Sequence, residues 1–190
     1  DESFLGAISG DSVKSDLRKI RKYGLHAEHH RDASWAREFV ENYHMVSITG
    51  RHGREGFVAT ARDIASAVEN GGWEFLLVKQ DERCLAAMIG EPHPTGYQMG
   101  RLGWLQGDPA LVKQGVLSAL YWFSIQRARE LGLRRVRMAG TPPYLEDGVF
   151  QYKMKWNAEL DREDTRYGMR YLILDPDHPG ARTLLERWSI

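Results

Sequence analysis

Apolar residues in the first third of the chain recur at helical spacing. Val13, Leu17 and Ile20 fall at i, i+4 and i+7, so a helix is expected from Asp11 or Ser12, either able to cap it, to Gly24. LHAEHH (25–30) reads as a short strand. Trp35, Phe39 and Tyr43 form a second helical stripe behind Asp32 and Ser34, both suited to N-capping, and Arg51-His52-Gly53 then reads as a turn. Thr60 opens a third helix with Asp63 three residues on, a weaker form of the capping box. Ile64, Ala65 and Val68 face inward, and Gly71-Gly72 stop it.

From Trp73 onward the pattern changes to strands. WEFLLVK (73–79), a turn at Gln80–Arg83 and CLAAMIG (84–90) predict an antiparallel hairpin. GYQMGRLGWL (96–105) predicts a third strand of the meander, whose three glycines point to a bulge or a close backbone approach. Pro109 starts a long helix ending at Gly132; Leu111, Val112, Val116, Leu117, Leu120, Phe123, Ile125 and Ala128 give it a face wide enough to pack on a sheet. RRVRMAG (134–140) predicts a short strand and YGMRYLIL (167–174) a last long one, before a helix from Pro179 carrying Leu184, Leu185 and Trp188. A meander followed by helix, strand, helix and strand is an α+β pattern in which a helix crossover can make its flanking strands parallel neighbours. With no repeat or linker, one domain over residues 1–190 is expected.

Composition narrows the classes. At 190 residues with 42% hydrophobic and 11% aromatic content, the chain can bury a real core. Its 26 basic and 26 acidic residues balance, which argues against a protein built for nucleic acid or anionic membranes. The balance is local only in part: Lys14, Arg18, Lys19, Arg21, Lys22 and Arg31 face Asp16 and Glu28. That segment reads as the solvated side of a helix, with a phosphate-bearing partner such as tRNA as the alternative. Cys84 is the single cysteine, in an apolar run that makes it a core thiol rather than a nucleophile. His26, His29 and His30 have no second cluster at ligand spacing, and adjacent strand histidines face opposite ways, so no metal is expected. No apolar run approaches a membrane span and no leader opens the chain, so the expected compartment is the cytoplasm. The chain begins at Asp1 without methionine, so it is expected to be a piece of a longer protein, such as its C-terminal half.

Candidate chemistry concentrates in MAGTPPYLEDGVFQYKMKWNAEL (138–160). Gly140 closes a strand, Thr141-Pro142-Pro143 make a rigid turn, and a short helix after Asp147-Gly148 carries Val149, Tyr152 and Trp156 on adjacent turns. Lys153 neighbours that face, whereas Lys155 is expected to point elsewhere. A strand end, a rigid loop and a short helix together can project polar groups into a cleft.

The order of a strand ending in Gly, a short loop, Asp-Gly and then aromatic-Lys resembles the closing segment of Fem-like transferases of the GNAT acyltransferase superfamily. GDPALVKQGVLSALYWFSIQRARELGLRRV (107–136) resembles their long helix and following strand, and GDSVKSDLRKIRKYGL (10–25) their opening helix. The resemblance implies an α+β fold: a single GNAT-like domain with a mixed, mostly antiparallel sheet and helices on both faces. It implies transfer of an acyl or aminoacyl group to an amine, with Lys153 stabilising the oxyanion and Tyr152 or Glu146 handling the proton. The blander readings are a solvated helix lysine, a core tyrosine and, for neighbouring Asp147, a helix N-cap. Tyr144, Arg51, His52, Trp104 and Gln106 are the expected substrate-side residues, with exposed charges in a turn as the alternative for Arg51 and His52.

The donor is where this chain departs from ordinary GNAT enzymes. Their phosphate loop, Q/R-x-x-G-x-G/A, grips CoA at the start of the long helix. Around Gly115 the sequence is VKQGVL, which leaves Lys113 and Gly115 as the residues for a phosphate contact. The departure favours a donor such as aminoacyl-tRNA over acyl-CoA, and no resident cofactor is expected. The rival readings are an acyl-CoA N-acetyltransferase with a degenerate loop, and a non-catalytic scaffold or homodimerisation module.

Overall fold

The computed structural model describes residues 10–52, 59–140 and 147–159. They belong almost wholly to one compact unit that runs to Ala158. The elements in order are α1 (Asp11–Lys22), β1 (Leu25–His30), α2 (Ala36–Phe39), a π-helical turn (Val40–His44), α3 (Met45–His52), α4 (Ala61–Asn70), β2 (Glu74–Gln80), β3 (Arg83–His93), β4 (Gly96–Trp104), α5 (Pro109–Gln114), α6 (Val116–Glu130), β5 (Val136–Arg137) and α7 (Gly148–Met154). The strand expected at 167–174 and the helix from Pro179 lie outside the described residues.

The sheet has five strands in the order β1-β2-β3-β4-β5. The first four are antiparallel, and β5 pairs with β4 in parallel after the α5–α6 crossover. Strand alternation explains why WEFLLVK is apolar almost throughout. Leu76 and Val78 join Val13, Ile20 and the α6 residues on one face, while Phe75 and Leu77 join Phe39, Tyr43, Ile64 and Val68 on the other. Helices thus cover both faces, and the α+β, mostly antiparallel expectation holds. The expected bulge is present: pairing slips between Met88 and Gly90, leaving Gly100 and Arg101 opposite Ile89.

The Thr60 capping box forms, with Thr60 Oγ1 accepting from the Asp63 amide and Asp63 accepting from the Thr60 amide. Three expectations need correction. Neither Asp11 nor Ser12 caps α1; Gly10 takes that position, and Asp11 sits in the first turn, where its charge suits the helix dipole. Arg51 and His52 are the last two residues of α3, not a turn: the helix runs on through Gly50, since a glycine inside a helix costs only about 1 kcal/mol and need not end it. The long helix from Pro109 is two helices, broken at Gly115, whose φ of +99° caps α5 and starts α6. A side chain at Gly115 would also press on Lys19 of α1, which packs across the break.

Candidate functional site

The parallel pairing of β4 and β5 is short. It consists of Tyr97 with Val136 and Gln98 with Arg137, whereas β4 runs on to Trp104. Where pairing stops, the Gln98 side-chain amide donates to the carbonyls of Met99 (2.8 Å) and Arg137 (3.3 Å), bridging the strands. Just past β5, Ala139 takes a left-handed φ of +57°. Successive carbonyls of an extended chain point opposite ways, so this turn lets the Ala139 and Gly140 carbonyls converge.

Lys153 meets them there. Its Nζ donates to Ala139 O (3.0 Å) and Gly140 O (2.8 Å), and the residue is only 7% exposed. Burial pushes the ammonium below a lysine's ordinary value, and the nearby Asp147 carboxylate pulls it partly back. Asp147 is the N-cap of α7, its Oδ1 accepting from the Phe150 amide at 2.8 Å, so the cap sets the helix that carries Lys153.

Tyr152, one residue earlier, faces a second group of polar side chains. Its hydroxyl lies 2.8 Å from Ser118 Oγ on the first turn of α6. Ser118 donates to Asp16 Oδ2 of α1 at 2.7 Å, and Lys155 Nζ reaches the same oxygen at 2.6 Å. The Lys155 ammonium also lies 3.9 Å from the centre of the Tyr152 ring, and Tyr121 meets that ring edge to face. Asp16 and Ser118 are buried. Burial pushes the Tyr152 phenol well above its ordinary value, and the nearby Asp16 carboxylate adds to the rise.

Neither Asp16 nor Ser118 stood out in the sequence. Asp16 reads there as one acid among the α1 bases, and Ser118 as a small residue on an apolar helix. Lys155 does not point away from the Tyr152 face but folds back on it, since a buried carboxylate 139 positions earlier attracts it. The one local signal was Asp16 lying on the Val13–Ile20 side of α1.

The other expected residues are less tightly grouped. Trp104 is buried, and its backbone N–H and C=O both bond to Ser47 Oγ on α3, at 2.9 and 3.2 Å. The exposed Gln106 side chain donates to Asn42 Oδ1 (2.8 Å) in the π-helical turn. The backbone groups of Trp104 and the side chain of Gln106 therefore bond to the helical layer. Lys113 is exposed on the last turn of α5, and Gly115 is buried beneath Lys19. Tyr144 and Glu146 lie outside the described residues, as do the side chains of Arg51 and His52.

Elsewhere, burial pushes the Cys84 thiol up to about 11, which suits a packed thiol. His29 stands beside Glu74 (3.8 Å), while His30 packs on Trp35 and Phe75 across the sheet. Glu74 is buried beneath a two-pronged Arg127 bond, at 2.8 and 2.9 Å. Burial alone raises this carboxyl, but the Arg127 bonds and charge outweigh it and hold it below the ordinary range. The pair ties β2 to α6. Among the described residues no group of three His, Cys, Asp or Glu side chains is placed to hold a metal ion, and no helix is long and apolar enough to cross a membrane.

No protein-family model matches the sequence, and no curated protein matches it significantly. Solved structures do resemble it. FemX superposes with a TM-score of 0.59 at 13% identity, over 82% of this chain and 55% of that one. L-PGS from Bacillus licheniformis gives 0.55 at 13%, over 79% and 52%. An aminoglycoside acetyltransferase from an uncultured soil metagenomic sample, solved in complex with sisomicin, gives 0.54 at 12%, over 82% and 99%. The chain thus spans about half the length of the first two and nearly all of the third. At these identities the likeness is one of fold: the chain has the GNAT-type fold, with FemX among the structures that resemble it.

Proposed function

We propose that this protein transfers an acyl or aminoacyl group to an amine acceptor in the manner of Fem-like enzymes, by direct attack within a ternary complex. The observation that carries the reading is Lys153, a buried ammonium held by two converging carbonyls beside the point where β4 outruns β5. A lysine has three donors. Among the described residues two are bound to Ala139 and Gly140, and the reading assigns the third to the oxyanion that develops at the acyl carbon. A preorganised donor of this kind contributes about 3 kcal/mol to the transition state. Tyr152 or Glu146 handles the proton of the amine.

The donor is best read as an ester such as aminoacyl-tRNA, with the basic face of α1 meeting its phosphates. The α5–α6 junction supports this choice: a single glycine joins the helices, and Lys19 covers it where ordinary GNAT enzymes have an open glycine-rich loop. Lys113 remains as a phosphate contact. Under this reading the enzyme works in the cytoplasm, and the single domain over 1–190 is part of a longer protein. Isothermal titration with acetyl-CoA tests the donor. No saturable binding is expected; micromolar binding assigns the protein to acyl-CoA-dependent N-acetyl transfer instead, as the full-length match to an acetyltransferase fold would favour.

A second reading has one observation of its own. The polar atoms of Lys153 and Tyr152 are both bonded within the chain, as in a scaffold or homodimerisation module whose cleft is no longer used. An acyl-transfer assay with acetyl-CoA and alanyl-tRNA against a panel of primary amines separates them: turnover with either donor excludes the scaffold.

A further inference from the structure

The bonds around Tyr152 have a direction that follows from counting hydrogens. Lys155 donates to Asp16 Oδ2 at 2.6 Å, which marks Asp16 as an ionised acceptor. A serine hydroxyl has one hydrogen, and at 2.7 Å from that carboxylate Ser118 gives it to Asp16. The 2.8 Å contact between Ser118 and Tyr152 then has only one donor left, the phenol. The chain of bonds runs Tyr152 to Ser118 to Asp16, and the phenol oxygen, beside the Trp156 indole, is left as an acceptor. Tyr152 is half-buried, whereas Ser118 and Asp16 are only 4% and 8% exposed, so of the three residues Tyr152 is the one nearest the surface.

Resting on the acyl-transfer reading, we propose that Asp16 and Ser118 make Tyr152 a proton acceptor for the attacking amine, with Asp16 as the terminus of a proton relay. This sets Tyr152 apart from a tyrosine that protonates the leaving group. As the amine nitrogen bonds to the acyl carbon, its N–H proton passes to Tyr152 Oη. The Tyr152 proton passes to Ser118 Oγ, and the Ser118 proton to Asp16 Oδ2. The acyl–oxygen or acyl–sulfur bond breaks, its electron pair leaves with the departing group, and water protonates that group. Asp16 then returns its proton to solvent through the same chain. The relay requires no standing phenolate, in keeping with a phenol that burial makes hard to ionise. Lys155 donates to the same Asp16 oxygen as Ser118 and lies against the Tyr152 ring, so it fixes both ends of the chain of bonds. Tyr152 is the catalytic residue here, and Asp16 and Ser118 are positioning residues acting through it.

Two measurements on the full chain test the proposal. A neutron structure of the deuterated protein is expected to show the Tyr152 deuteron directed at Ser118 Oγ and the Ser118 deuteron at Asp16. A Ser118 deuteron directed at Tyr152 overturns the relay whether or not the protein is an acyltransferase. In the acyl-transfer assay with acetyl-CoA or alanyl-tRNA and primary amines, Ser118→Ala is expected to lower kcat about 100-fold with KM within about twofold. Ser118→Thr, which keeps the hydroxyl, should restore most of the loss. Wild-type kcat in Ser118→Ala, or an equal loss in the threonine variant with its fold intact, overturns the relay alone. A wild-type chain inert with both donors overturns the acyl-transfer reading and, with it, the role of the relay.

Discussion

Asp16 in the first helix and Lys155 just beyond α7 lie 139 residues apart in sequence and 2.6 Å apart in space. The pair fastens the segment bearing Tyr152 and Lys153 to α1, and Ser118 extends the tie to α6. It is largely shielded from water, with the Asp16 side chain 11% and the Lys155 side chain 21% exposed. Lys155→Met removes the charge and keeps most of the stem. The loss in stability should be roughly 2 kcal/mol, as for a hydrogen bond to a charged group, short of the ~3–5 kcal/mol for breaking a fully buried pair. Urea unfolding monitored by circular dichroism reads it, and an unchanged midpoint contradicts the tie.

Gly103 of β4 lies directly against the chain of the π-helical turn. A Cβ there would collide with the carbonyl of Tyr43 and the amide of His44, backbone atoms that have no rotamer to escape by. Gly103→Ala should therefore cost about 1–3 kcal/mol and lower the melting temperature. Gly50 of α3 has open space around its Cβ position, and Gly50→Ala should stabilise by up to about 1 kcal/mol. Equal melting temperatures for the two variants would contradict the close approach.

His44 is 1% exposed and hydrogen-bonded through Nδ1 to the Leu102 carbonyl at 2.9 Å. Burial holds its imidazole below the ordinary 6.5, although the Leu102 bond works the other way. Above that pH the ring is neutral in folded and unfolded chains alike. Below it the unfolded chain takes up a proton that the folded chain resists, so stability falls until pH reaches the lowered folded value. His29 and His30 shift in the same direction, again chiefly through burial, and add to the fall. Unfolding midpoints should drop between pH 7.5 and 5, and His44→Gln should flatten the drop. The same drop in the variant would place the effect elsewhere.

How much of this was legible in the sequence depended on the range of each interaction. The hairpin of β2 and β3, the Thr60 capping box and the Asp147 cap rest on neighbours within a few residues, and local pattern reads those directly. The bulge in β4 announced itself through its glycines. The break at Gly115 did not, because the apolar face continues across it and only the packing of Lys19 from α1 shows why a glycine stands there. At the site, motif order singled out Lys153 and Tyr152. It could not find Asp16 and Ser118, whose roles depend on contacts 34 and 102 residues long that no periodicity encodes. It also misjudged Lys155, because helical spacing cannot foresee a distant buried carboxylate.

The central claim is that Lys153 stabilises the oxyanion of an acyl transfer. Its most direct test compares kcat for wild type and Lys153→Ala, both verified as folded by circular dichroism, with acetyl-CoA and alanyl-tRNA as donors to primary amines. The account predicts turnover with at least one donor and a fall in kcat of about 100-fold or more in the variant. Unchanged turnover in a folded Lys153→Ala protein would contradict it.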